Sequence, residues 1–115
     1  MSGAWTHTEQ QEVIELYDQM HRFATGGVEY NKAAMIRHAR GESELPDGTK
    51  FAGLKDRSKG SIEMKLMNIT AACEALDRPD LSMAEFGYRP MVNMQKSLKD
   101  AVEMWLAFEP VRKAA

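Results

Sequence analysis

The chain has 115 residues, with 15 Lys and Arg against 17 Asp and Glu, for a formal net charge of −2. Hydrophobic content of 43% and charged content of 28% exclude a disordered chain and fit one globular domain with a single modest core. No apolar run approaches ~18 residues, which excludes a membrane span, and the opening "MSGAWTHTEQQEV" has neither the basic nor the apolar region of a signal peptide.

The first helix is predicted over residues 8–24. Thr8 is its expected cap, and Glu9 and Glu12 suit the positive end of the dipole. Val13, Leu16, Tyr17, Met20 and Phe23 recur at helical spacing and form an apolar stripe. Gly26 and Gly27 end it, because glycine accepts the left-handed cap conformation. Trp5, just upstream, can fold back over the stripe. Glu9, Glu12 and Glu15 read as a solvated face rather than as catalytic acids.

A shorter helix is predicted over 31–40, capped by Asn31 and stopped by Gly41. Ala33, Ile36 and either Ala39 or Met35 would face inward. Arg37 and Arg40, three residues apart, would share an outer edge. Residues 41–56, "GESELPDGTKFAGLKD", carry the turn residues Pro46, Asp47 and Gly48. Two arrangements fit: a very small hairpin, or a loop packing Leu45, Phe51 and Leu54 onto the core.

The third helix is predicted over 59–77. Ser58 is its expected cap, and Ile62, Leu66, Ile69, Cys73 and Leu76 form its core seam. Pro79 follows as a stop. A helical turn is expected around 82–86, broken by "GYRP" at 87–90. The last helix is predicted over 91–108, with Met91, Met94, Leu98, Ala101 or Val102, Trp105 and Phe108 on its apolar side. Arg112 and Lys113 suit its C-terminal end. These elements predict an all-α, compact bundle of four to five helices, helix-turn-helix-like in its middle, as a single domain over residues 1–115.

Catalytic signatures are absent: the sequence has no G-x-S-x-G, P-loop, HExxH or dinucleotide fingerprint. The expectation is therefore a protein that is not an enzyme and has no cofactor. Cys73 is alone, so no internal disulfide forms, and it reads as a buried small hydrophobe. His7, His21 and His38 are scattered without cysteine partners, so no metal site is expected. These features fit a reducing cytoplasm.

Charge is unevenly distributed. Residues 1–30 sum to −4, 31–40 to +3, 41–49 to −3 and 50–65 to +3. Such alternation fits either a mixed polar surface or a localised anion-binding face.

The stretch "RSKGSIEMKLMNI" at 57–69 gives the second reading concrete form. With the seam facing the core, Ser61, Lys65 and Asn68 fall at i, i+4 and i+7 and make a flanking polar stripe. Arg57, Ser58 and Lys59 stand at the helix start, where unpaired N–H groups and the dipole favour a phosphate. Lys65 and Asn68 are base-facing candidates, since asparagine can pair with an adenine edge. Arg37 and Arg40 would add phosphate contacts. The structural alternative is that Ser58 caps, Glu63 counters the dipole, Lys65 is solvated and Asn68 ties down a loop. Met64 and Met67, off the seam, form either a second packing surface or an adaptable patch for a protein partner.

The blocks "YNKAAMIRHARG", "LKDRSKGSIEMKLMNITAACEAL" and "GYRPMVNMQKSLKDAVEMWL" resemble a small helical bacterial domain, covering about residues 29–106. That domain is an N-terminal module fused to HNH-type nucleases and other restriction-associated domains. The resemblance rests on Arg57, Ser58, Gly60, Ser61, Ile62, Glu63 and Lys65, on Asn68 and Ile69, on Gly87, Tyr88 and Pro90, and on Asn93 and Gln95. It implies a DNA-recognition or substrate-positioning module of restriction, defence or phage systems, and implies no catalysis. Three readings are expected: a DNA-binding module, a protein-binding adaptor or phage-type inhibitor using the acidic first helix and the methionines, and a homodimeric structural domain.

Overall fold

A computed structural model of the chain describes residues 5–42 and 54–107. Four α-helices cover most of them: α1 (His7–Thr25), α2 (Lys32–Ala39), α3 (Lys59–Ala75) and α4 (Lys96–Ala107). Two 3₁₀ turns, Pro79–Leu81 and Ala84–Phe86, lie between α3 and α4, and no strand occurs among the described residues. The all-α prediction therefore holds. Residues 40–58 join α2 to α3, and the expected helix-turn-helix-like middle falls in this segment. Its residues 43–53 lie outside the described residues, as do the expected positions of Leu45, Phe51, Phe108, Arg112 and Lys113. No helix among the described residues is long and apolar enough to cross a membrane.

The chain divides into two compact units, Met1–Leu66 and Met67–Ala115. In the first unit α1 begins at His7, one residue before its predicted start, and its cap stands two residues earlier than expected. Thr6, not Thr8, is the cap: its hydroxyl accepts the Glu9 N–H at 3.1 Å, and the Glu9 carboxylate accepts the Thr6 N–H at 2.9 Å. This reciprocal pair satisfies two helix-end donors that would otherwise need water. The helix ends at Gly26, and Gly27, at φ 72°, takes the left-handed conformation that turns the chain away. Val13, Leu16 and Met20 are fully buried, with Ile14 and Tyr17 beside them, and α1 packs against α2.

Asn31 caps α2 by accepting the Ala34 N–H at 3.0 Å. Met35, Ile36 and Ala39 are buried, and Gly41, at φ 80°, follows the helix end. Leu54 is fully buried, while the choice between hairpin and packed loop lies outside the described residues.

α3 contributes residues to both units. Ile62 and Leu66 are buried in the first, Ile69 and Cys73 in the second. It ends at Ala75, two residues before the predicted end, because Asp77 adopts φ 59° and the chain reverses. The Arg78 N–H then donates to the Cys73 carbonyl at 2.8 Å, the long bond of a Schellman-type cap. Pro79 opens the first 3₁₀ turn rather than standing beyond a longer helix.

The second unit also holds the clearest departure from prediction. α4 starts at Lys96, not at 91. Residues 87–95 form a loop instead, because their backbone has better partners elsewhere. The Met91 N–H donates to the Met67 carbonyl at 3.4 Å and the Gln95 N–H to the Asn68 side chain at 3.2 Å. Leu98 and Val102 then form the buried side of α4.

Candidate nucleic-acid interface

The eight residues singled out in the sequence divide into those consumed by the fold and those left at the surface. Arg57 is consumed. It is 5% exposed, and its Nε and Nη2 donate to both oxygens of Glu9 at 2.6 and 2.7 Å. Such a two-point guanidinium–carboxylate contact is the strongest geometry for this kind of pair. Its guanidinium carbon also lies 5.0 Å from the centre of the Trp5 ring. The contacts of the Trp5 ring are thus with cations, where the sequence predicted the α1 stripe.

Lys65 lies on the other arm of the same cluster. It is 8% exposed, with Nζ 5.1 Å from the Trp5 ring centre. Burial pushes its ammonium's pKa down, and the neighbouring Arg57 charge adds to the shift. The expectation that Lys65 faces a groove is therefore corrected: its head group is inside. Glu9 is corrected too. It is half-buried, as are Glu12 and Glu15, rather than part of a solvated face. The Arg57 side-chain bonds hold the Glu9 carboxyl down at about 2, with help from the Thr6 backbone and hydroxyl and against the opposing effect of burial.

Asn68 belongs to the second unit and is 3% exposed. Its side-chain oxygen accepts the Gln95 N–H, so it ties down the loop before α4 instead of facing bases. Arg40 is half-buried. Its Nε donates to the Arg57 carbonyl at 2.8 Å and its Nη1 to Glu42 at 3.0 Å.

The remaining four stay at the surface. Ser58 caps α3 by accepting the Ser61 N–H at 3.1 Å, and Ser61 itself is half-buried. The Lys59 side chain is 60% exposed and faces Glu63 at 3.9 Å, a surface pair of little strength. Arg37 is exposed on α2 and makes no ion pair among the described residues. Lys55, which the sequence reading passed over, has the same standing. Its signal was present: it belongs to the +3 segment of residues 50–65.

These cations lie on two segments that one hydrogen bond joins. The Arg40–Arg57 bond fastens the end of α2 to the residue just ahead of the α3 cap. Arg37 sits one turn before Arg40, and Lys55 and Lys59 flank Arg57 in the chain. Of the first N–H groups of α3, which have no intrahelical acceptor, that of Ser61 is taken by the Ser58 hydroxyl, and a Cβ built on Gly60 meets nothing within 4 Å.

Of the other candidates, Met64 is 51% exposed and Met67 half-buried. Cys73 is a buried free thiol. No cluster of His, Cys, Asp and Glu fit for a metal ion occurs among the described residues. Comparison with protein-family models, curated proteins and solved structures yields no match to this chain.

Proposed function

We propose that this chain is a small helical DNA-binding module that holds the duplex by its phosphate backbone at the start of α3. The observation that carries the reading is the Arg40–Arg57 bond, which joins the end of α2, one turn after Arg37, to the segment that carries Lys55 and Lys59 at the start of α3. Three cations and a helix dipole of the right sign favour phosphate oxygens without selecting a base. The resemblance to the module fused to HNH-type nucleases supports the same reading. Base reading by Lys65 and Asn68 is not part of it, since both head groups serve the fold.

The test is fluorescence anisotropy of a labelled duplex over a salt series. The parent is expected to give a linear log–log plot with a slope of about −0.9 per neutralised phosphate. Arg37→Ala/Lys55→Ala/Lys59→Ala should flatten that slope by up to about 2.7, or 3 × 0.9. Absence of binding at low salt, with plain and methylated duplexes, would remove the reading. The half-exposed Met64 favours a protein partner as the second reading. A stoichiometric partner held equally by the parent and the triple variant would support it.

A further inference from the structure

Val92 is 97% exposed, while the next most exposed large hydrophobics stand between 51% and 58%. A solitary surface aliphatic is ordinary; its setting here is not. The loop that carries Val92 is fixed on both sides. Gly87, at φ 98°, turns the chain out of the second 3₁₀ turn, and Tyr88 is 5% exposed with its N–H on the Met83 carbonyl at 3.1 Å. Beyond it, the Met91 and Gln95 amides bond to Met67 and Asn68, consecutive residues of α3. Between these anchors Val92 and Asn93 project as an exposed tip, with Arg89 and Pro90 exposed just ahead.

The loop's own sequence is cationic, between Glu85 and Asp100. No Asp or Glu occurs from Gly87 to Lys99, while Arg89, Lys96 and Lys99 fall in that span. Arg89 and Lys99 make no ion pair among the described residues. Lys96, 88% exposed at its side chain, meets Asp100 at 3.2 Å, a surface pair that a phosphate can displace.

We infer that this loop is a minor-groove wedge for duplex DNA, with Val92 entering a base step and Arg89, Lys96 and Lys99 holding the flanking phosphates. The chemistry discriminates between nucleic acids. Single strands are held by aromatic platforms on which bases stack, and this tip carries none. Aliphatic and proline wedges beside arginine, lysine and amide side chains are the equipment of minor-groove binders, and Asn93 supplies the amide. A fixed loop suits the task because a mobile one would lose the ordering entropy on insertion. The inference shares with the proposed function the premise that the ligand is DNA, but it uses a different unit and different residues.

The experiment uses the full chain and an A·T-rich duplex of about two helical turns with TA steps, which unstack most readily. A 2-aminopurine at one TA step reports unstacking by a rise in fluorescence, and anisotropy reports affinity. The parent is expected to bind and raise the fluorescence. Val92→Ser should abolish the rise and weaken binding about tenfold, leaving the salt slope as it was. Arg89→Ala/Lys96→Ala/Lys99→Ala should flatten the slope by up to about 2.7. All these side chains are exposed or partly so, and circular dichroism melting should match the parent's. If both loop variants bind and unstack like the parent, the wedge is overturned; the α3 reading survives if its own triple variant has lost affinity. If the loop variants fail while the α3 triple variant binds normally, the wedge stands and the α3 reading falls. Equal affinity for the corresponding single strand overturns the wedge, and no binding by the parent at low salt overturns both.

Discussion

Arg57 connects the two ends of the first unit through one carboxylate. Glu9 receives the Arg57 guanidinium and at the same time closes the Thr6 cap, so a single side chain serves helix entry and tertiary attachment. Its protonation would weaken both. The folded carboxyl titrates at about 2 against an ordinary 4.5, so the folded chain binds fewer protons than the unfolded chain in that window. The stabilisation is complete above about pH 4.5 and is lost as pH falls towards about 2. In urea titrations, Glu9→Gln should therefore be less stable than the parent at neutral pH, and the gap should close on acidification through this window. A gap that stays constant with pH would contradict the assignment. The cap half of this arrangement left a signal that the choice of Thr8 overlooked, since Thr6-x-x-Glu9 before an apolar stripe is a capping-box signature. The other half was not: Arg57 lies 48 residues away, and no local pattern pairs it with Glu9. For the same reason, loss of DNA binding in Arg57→Ala would report a disturbed fold before it reported a lost phosphate contact.

Single helices are well described by their own periodicity as far as their seam, and poorly beyond it. The spacing of Ile62, Leu66, Ile69, Cys73 and Leu76 identified the seam of α3, and the first four are buried, while Leu76 falls just past the helix end and is half-buried. A wheel drawn on one helix cannot say how many neighbours pack around it, and Lys65, Asn68 and Thr70 are buried as well. The start of α4 failed for a related reason. Residues 91–95 are apolar and polar at helical spacing, but two of their amides bond to α3 rather than to their own turn. Glycines give a direct test at this scale. Gly60 lies in the first turn of α3 with open space at its Cβ position, so Gly60→Ala should stabilise by about 0.5–1 kcal/mol through helix propensity and a less disordered unfolded chain. Gly27 also has open space, but at φ 72° an alanine is strained by roughly 1–2 kcal/mol. Thermal melts should move in opposite directions, by about 4–8 °C per kcal/mol. A rise for both variants would mean that space, not backbone conformation, governs these positions.

For the molecule as a whole, composition and periodicity were enough for the all-α class, because a lack of alternating strands and four apolar stripes leave little else. The division into Met1–Leu66 and Met67–Ala115 was not legible, since no glycine, proline or polar linker marks residue 66 and the boundary falls inside α3. That location has a thermodynamic consequence. α3 has 17 residues, of which eight (59–66) fall in the first unit and nine (67–75) in the second. Helices of that length are marginal in water without the rest of the helix to propagate from. Unfolding one unit would therefore fray the half of α3 on which the other depends, and would expose the Ile62–Leu66 or the Ile69–Cys73 part of the seam. A single calorimetric transition is expected, with the calorimetric enthalpy equal to the van't Hoff enthalpy. By size it should be about 80 kcal/mol near 60 °C. Two resolved transitions, or a van't Hoff value well below the calorimetric one's expected match, would mean that each half of α3 is stable on its own packing. A proline at Met67 sharpens the test. It removes one backbone bond in the middle of α3 and costs about 3 kcal/mol or more, so in a cooperative chain it lowers the whole transition, whereas independent units would leave part of the heat at the parent's temperature.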